Sequence, residues 1–428
     1  MRVMGSRFIA VLAITAGVIF SHAGIAADNS AMLKPGTRLA IVGDSITEQK
    51  LYSRFMELYL TVCQPQLNLS ICQFGWGGER ANDFYSRMKN DMLEFNPDVV
   101  TTCYGMNDGS YCAYRAEIGK TYEKWMTLIV KDLKAANAIV VVGSPGAVDS
   151  KYFNRNQIHA GVYNENLAQL KAIDQKIASA FGMPFANVHD SMVETMTRAK
   201  AGLGEDYDVC GRDGIHPGAN GHLVMAYAFL KALQMDGEIG SIQIDMNGKG
   251  SASNAHEVVA SSAGMIELSS TRYPFCFSGD EKSSSGTRSI LPFLPFNAEL
   301  NRMTLVVKNL STKQANVSWG ETTKLFSRAD LEKGINLANE FINNPFSQPF
   351  AVIDAAVVAK QNFETVMIKQ QISGYPALLN AFKSDGEMVA HLTAMRPLLW
   401  KRQRQLADEV RAAFKPVRHR LVVSPVGN

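Results

Sequence analysis

Four short stretches of the sequence set reactive side chains beside turn-forming residues. In the first, Gly43-Asp44-Ser45 directly follows the apolar run Leu39-Ala40-Ile41-Val42. A serine in a tight turn between a strand end and a helix exposes its hydroxyl. Its backbone N–H also lies at a helix N-terminus, where negative charge is stabilised. Taken alone, such a serine reads equally as a helix N-cap, and Asp44 as a cap or turn former. The second stretch is Gly75-Trp76-Gly77-Gly78. Its glycines let backbone N–H groups approach a ligand closely, although alone it is also an ordinary flexible turn. In the third, Gly105-Met106-Asn107-Asp108, the asparagine amide can donate to developing negative charge, while Asn-Asp-Gly by itself is a turn sequence. The fourth is Asp213-Gly214-Ile215-His216-Pro217. An acid three residues before a histidine reaches one ring nitrogen, fixes the tautomer and leaves the other nitrogen as a base. A lone pair of this kind is also a loop hydrogen bond or half a metal site. With no second histidine and no cysteine cluster, metal is disfavoured.

Taken together the stretches supply a nucleophile (Ser45), a base (His216) and an orienting acid (Asp213). They also supply three donors for an oxyanion, from Ser45, Gly78 and Asn107. That is a complete set for acyl transfer. In this order the blocks resemble the SGNH hydrolase superfamily, also known as GDSL-like lipases and acylhydrolases. Gly43-Asp44-Ser45 is similar to the family's G-D-S block, with Ile46 where leucine is common. Phe74–Arg80 is similar to its glycine block, in which Gly78 fits the oxyanion glycine. Gly105–Asp108 matches G-x-N-D and points to Asn107, and Asp213–Pro217 matches D-x-x-H-P. The resemblance spans about residues 36–236. It implies a flavodoxin-like three-layer α/β/α fold and hydrolysis of esters with no cofactor. Further on, Trp319-Gly320-Glu321 and Gly334–Ala338 are similar to the carboxy-terminal region of a subgroup of exported bacterial members, with no chemistry attached. The sequence lacks G-x-S-x-G, G-x-G-x-x-G, G-x-x-x-x-G-K and H-E-x-x-H, which removes the main support for an α/β-hydrolase elbow, a nucleotide site or a zincin.

The elements that must position these residues alternate along the chain. Strands are expected at Leu39–Val42, Leu67–Cys72, Asp98–Cys103, Ile139–Val142 and Pro184–Val188. Helices are expected at 50–62, Asp83–Phe95, Tyr114–Asn137, Asn164–Phe181 and Asn220–Leu233. This alternation indicates a mainly parallel sheet covered on both faces, with its site at the carboxyl ends of the strands. Beyond Asp236 the composition shifts to Ser, Gly, Thr and Asn with short β-like runs, which suggests a small antiparallel β module over 237–325. Residues 326–428 are expected to be mainly helical, ending in an edge strand at Arg418–Val423. The charge run Lys401-Arg402-Gln403-Arg404 reads as a solvated helix face.

The chain of 428 residues carries 46% hydrophobic and 19% charged residues and a net charge of +3. This balance suits a folded protein and gives no reason to expect a nucleic-acid partner. Arg2 and Arg7 precede the apolar run Phe8–Phe20, and small residues follow as far as Ala26-Ala27. That is a secretory signal pattern over residues 1–27, followed by a catalytic domain over 28–236. It implies an exported protein, periplasmic or extracellular, with no stable membrane insertion once the signal is cleaved. A retained anchor would need about 20 apolar residues. Export permits disulfides among the six cysteines. Cys63–Cys72 and Cys103–Cys112 are the closest pairs in sequence, and buried free thiols are the alternative.

The expected function is therefore hydrolysis of short acyl esters, acetyl foremost, on a small ester or an acetylated carbohydrate. Trp76, Tyr104 and Tyr111 adjoin the blocks and offer rings for a sugar, or else core packing. A lipase with a wide apolar cleft and a non-catalytic carbohydrate-binding surface protein are the alternatives. Nothing in the sequence fixes the oligomeric state.

Overall fold

In a computed structural model, which describes residues 32–427, the first half of the chain builds a five-stranded parallel sheet. The expected signal stretch lies outside the described residues. The sheet strands are β1 (Arg38–Gly43), β2 (Ser70–Gln73), β3 (Val99–Cys103), β4 (Ile139–Gly143) and β5 (Phe185–Ala186), in spatial order β2-β1-β3-β4-β5. Helices α1 (Ser45–Glu48), α2 (Tyr52–Val62), α3 (Ala81–Asp91), α4 (Ala116–Ala135), α5 (Ala160–Phe181), α6 (Val188–Leu203) and α7 (Ala219–Ala232) fill the connections. The α/β/α expectation is met.

The layering follows from the two-residue period of a strand. On β1, Leu39 and Ile41 face a core shared with α2, α6 and α7, while Ala40 and Val42 face one shared with α3, α4 and α5. Both faces are apolar, as a parallel sheet between helices requires. The register runs Leu39 against Val99 and Ala40 against Cys72, so β1 and β3 end together and β2 ends opposite Ile41, two residues earlier. Because β1 lies between the other two, the chain leaves it in both directions. The loops after these strands open the crevice where ligands bind in such sheets.

Two departures stand out in this half. The fifth strand is confined to Phe185–Ala186, and the helix α6 that starts at Val188 has no counterpart among the expected elements. Asn187 caps it, its side chain accepting from the Asp190 N–H.

The second half adds two sheets. Strands β6 (Glu238–Asp245), β7 (Ser251–Ala252), β8 (His256–Ser262) and β9 (Met265–Ser270) precede a short helix α8 (Phe296–Leu300). They are followed by β10 (Arg302–Lys308), β11 (Gln314–Trp319) and β12 (Thr322–Ser327). Helix α9 (Arg328–Lys333), strand β13 (Ile335–Asn336) and helix α10 (Leu337–Glu340) come next. Helix α11 (Ser347–Val366) then continues as a π-helical turn over Met367–Ile372. Helices α12 (Tyr375–Ala381) and α13 (Gly386–Ala413) and the final strand β14 (Val417–Val426) complete the chain. The sheets run β13-β10-β6-β7 and β12-β11-β14-β9-β8. The β region is not purely antiparallel, since β6 and β10 are parallel.

The expected edge strand at the C-terminus is a correction. β14 is the central strand of its sheet, paired with β9 on one side and β11 on the other. Val417, His419, Leu421 and Val423 are buried, which shows why alternation alone misleads: it reports a covered face, not the number of neighbours. A polar chain crosses this region. The Trp319 indole N–H donates to His419 Nδ1 at 3.1 Å, and His419 Nε2 and His256 Nδ1 each lie 2.8 Å from Ser270 Oγ. His256 Nε2 then reaches Ile239 O at 3.0 Å. Burial pushes His419 down to about 3.

The cysteines resolve as free thiols, five of them buried. Lys401, Arg402 and Arg404 are exposed as expected, while Gln403 turns inward.

Candidate active site

The four blocks converge at the carboxyl ends of β1, β2 and β3. Ser45 begins α1, and Asp44 is its cap, with Oδ1 accepting from the Ile46 N–H at 2.9 Å. This places the serine hydroxyl on the crevice side. Ser45 Oγ lies 2.8 Å from His216 Nε2, and His216 Nδ1 lies 2.6 Å from Asp213 Oδ2. The other carboxylate oxygen of Asp213 accepts the His216 and Ile215 N–H groups, each at 2.9 Å. These hydrogen bonds hold the Asp213 carboxyl below its ordinary range against the opposing effect of partial burial. The side chains of His216 and Asp213 are 33% and 53% exposed, so the pair is open to solvent.

The loop carrying this pair is fixed from behind. Gly214 has φ +77°, and a Cβ there would stand 2.4 Å from the Phe153 backbone, so only glycine fits. Its carbonyl accepts from the Asp149 N–H at 2.9 Å. The Asp149 carboxylate in turn meets Lys200 of α6 at 3.0 Å, with both side chains buried. The helix absent from the sequence expectations thus anchors the fourth block.

The glycine block is pressed against α1. A Cβ on Gly75 would stand 2.3 Å from Glu48 N, which only glycine permits. Gly78 has φ +75° and is exposed, and the Trp76 N–H bonds Gly43 O at 3.0 Å. Beneath it Glu79 is 4% exposed. Arg87 clasps it through Nε to one oxygen and through Nη2 to the other, and Tyr104 donates to it at 2.7 Å. Burial pushes the Glu79 carboxyl up, against the pull of Arg87.

Asn107 joins the first and second blocks. Its Nδ2 donates to Glu79 O at 3.0 Å and reaches Asp44 Oδ2 at 3.5 Å, the outer limit of hydrogen bonding. The Tyr111 hydroxyl donates to Asn107 Oδ1 at 2.9 Å, which fixes the amide's orientation. Asp108 accepts the Ala81 and Gly105 N–H groups at 3.0 and 3.1 Å, tying the third block to the start of α3. Burial carries its carboxyl up to about 6 and that of Asp44 up to about 7. His222 behind the site is buried and pushed down to about 3, and its Nδ1 accepts from the Tyr52 N–H at 3.2 Å.

The aromatic residues next to the blocks have partners within the protein. Tyr104 is 1% exposed and stacks on Phe84. Tyr111 stacks on Tyr163, and the Arg155 guanidinium lies 3.8 Å from its ring centroid. Trp76 is half-buried, with Arg87 and Lys369 about 5 Å from its ring. Tyr104 and Tyr111 thus follow the core-packing alternative, whereas Trp76 lines the cleft beside Gly78. A cleft of about 290 Å³ beside Gly78 is lined by Trp76, Glu79, Asp83, Arg87 and Ser373. Among the described residues no group of three or more His, Cys, Asp or Glu is placed to hold a metal ion. No helix there is long and apolar enough to cross a membrane.

The structure thus combines a parallel α/β sheet with a serine at the end of β1 that is hydrogen-bonded to a histidine and through it to an acid. Residues 41–224 match the GDSL-like lipase/acylhydrolase family, so this stretch is a GDSL-like lipase/acylhydrolase domain and the protein is an ester-bond hydrolase. Among solved structures, the chain is similar to a gut microbial diltiazem-metabolizing enzyme at 22% identity, with a TM-score of 0.72 over 92% of this chain and 98% of the other. That likeness shows that the whole architecture recurs, the second half included. The acetylxylan esterase Axe2 of Geobacillus stearothermophilus is 20% identical over 47% of this chain and 96% of its own, with a TM-score of 0.39. No curated protein matches the sequence.

Proposed function

We propose that the protein is an exported serine esterase that removes short acyl groups, acetyl foremost, from a hydroxyl-rich acceptor such as a carbohydrate. The observation that carries this reading is the unbroken Ser45–His216–Asp213 line, at 2.8 and 2.6 Å. His216 Nε2 takes the Ser45 proton as Oγ attacks the ester carbonyl, and Asp213 stabilises the imidazolium. The oxyanion is received by the Ser45 and Gly78 N–H groups. It also takes the Asn107 amide hydrogen that now makes only the long contact to Asp44. His216 then protonates the departing alcohol. Water, deprotonated by the same nitrogen, releases the acyl group as a carboxylate.

Two features favour a short acyl group and a polar acceptor. The cleft beside Gly78 is lined by charged and polar side chains. A mainly apolar pocket of about 240 Å³, lined by Leu60, Leu69, Ile71, Val410 and Phe414, lies away from Ser45, around α2 and α13. Export rests on Arg2, Arg7 and the run Phe8–Phe20, and amino-terminal sequencing of the secreted protein checks it.

The test is hydrolysis of p-nitrophenyl esters from acetate to decanoate, followed by acetylated glycans, with Ser45→Ala and Asn107→Ala alongside. Acetate should be the preferred chain, and activity should vanish with the serine. It should fall by about 10²–10³ in kcat with the asparagine. Preference for decanoate would replace this reading with a lipase. A folded protein inert on every ester would leave the carbohydrate-binding role.

A further inference from the structure

The π-helical turn Met367–Ile372 and the end of α11 lie against the glycine block, more than 280 residues further along the chain. Lys369 Nζ bonds Glu48 Oε1 at 2.6 Å, and Glu48 Oε2 accepts the Gly77 N–H. One turn earlier, Thr365 Oγ1 accepts from Gln73 Nε2 at 2.7 Å, and Gln73 Oε1 accepts the Gly75 N–H at 3.0 Å. Two side-chain relays therefore run from one helix face to alternate backbone amides of a single loop. Glu364 adds a third tie, accepting the Gln73 N–H at 3.1 Å. The Lys369 ammonium also lies 4.9 Å from the Trp76 ring centroid, between the two amides that the relays hold. π-turns inside α-helices recur at functional sites, and here the turn carries Lys369 and precedes Ser373, which lines the cleft beside Gly78.

We infer that Lys369 and Thr365 are positioning residues that set the Gly75–Gly78 loop, so that the carboxy-terminal helix is part of the oxyanion apparatus rather than an appendage. This rests on the reading of Gly78 as an oxyanion donor. The physical reason is steric freedom. Gly75, Gly77 and Gly78 carry no side chains to hold themselves, and a glycine-rich loop loses more conformational entropy on ordering than any other. External hydrogen bonds to its amides supply the restraint. A donor displaced by about 1 Å costs up to about 10²-fold in rate.

The test pairs Lys369→Met with Lys369→Arg in the full chain. Lys369 is 26% exposed, so the methionine variant should fold, and its melting curve checks this. Lys369→Met should lower kcat on p-nitrophenyl acetate by about tenfold or more, with KM within about twofold. Lys369→Arg should restore most of the loss. In a Ser45→Ala background, amide exchange of segment 74–80 should quicken by about tenfold in Lys369→Met and return in Lys369→Arg. Unchanged exchange in Lys369→Met, or a kcat loss that arginine does not rescue, overturns the relay. If the wild-type protein hydrolyses no ester, the functional reading fails while the exchange measurement still decides the relay.

Discussion

Two buried ion networks flank β2, one local in sequence and one that joins the two halves of the chain. On the catalytic side, Glu79 is held by Arg87, eight residues away. On the outer side, Lys360 Nζ lies 3.0 Å from Glu57 and 2.7 Å from Glu364, and it reaches Glu57 across 303 residues. The first network shapes the loop that bears Gly78. The second closes a sheet margin. β2 is an edge strand, and its outward groups are met by side chains, with Gln73 N–H donating to Glu364 and Ile71 O accepting from Gln403 at 3.4 Å. Exposed edges invite pairing with other chains, and covering them is one remedy. The other margin needs no such cover, because β5 is only two residues long. The difference teaches that residues 347–413 stand where a sixth strand would, and that the ion network around Lys360 supports the sheet while the one around Glu79 supports the site.

That division can be broken by experiment. The largest effect should come from Ser45→Ala, which should lower kcat by about 10⁴ or more while leaving the melting temperature nearly unchanged. Lys360→Met should do the reverse. It leaves Glu57 and Glu364 buried without their cation, at a cost of about 3–5 kcal/mol in urea unfolding, while the folded protein keeps kcat within about threefold. If Lys360→Met abolished turnover in protein that remained folded, chemistry and support would not be separable. Asn107→Ala belongs with the serine, so its loss should appear in turnover and not in unfolding.

A further effect sharpens the picture through pH. Burial, assisted by Asp108 and Glu79, carries the Asp44 carboxyl up to about 7, against an ordinary value near 4. Its contribution to stability is therefore complete below about pH 4 and is lost as pH rises through about 7. Asparagine keeps an acceptor for the Ile46 N–H and does not titrate. The melting-temperature gap between Asp44→Asn and wild type should widen in favour of the variant from pH 4 to pH 8, then stay flat. A gap independent of pH would mean that Asp44 titrates normally.

How much of this was legible in the sequence depends on distance along the chain. Ser45, Gly78, Asn107, Asp213 and His216 were readable because each sits in a local turn after a strand or before a helix. Even so, nothing local marks Tyr111 and Glu79 as the residues that orient and bond Asn107. α6 carries a signal in Val188, Met192, Met196 and Ala199, spaced for one buried helix face behind the Asn187 cap. The pairing of Lys360 with Glu57 left no signal, since neither residue's neighbours mention the other. The same holds for the central place of β14, whose alternation describes its face and not its flanks.

That central place bears on how the protein is made. β14 follows β9 and β11 by about a hundred residues or more, yet it must insert between them, and His419 bonds Ser270 and Trp319 across 149 and 100 residues. Until the ten residues of β14 dock, β9 and β11 each present an unpaired edge, and the Trp319 indole lacks its His419 acceptor. A chain clipped before β14 would carry the whole matched domain at residues 41–224 and still expose two templates for cross-chain pairing. Docking of β14 thus joins two halves of a sheet and covers both templates in one step.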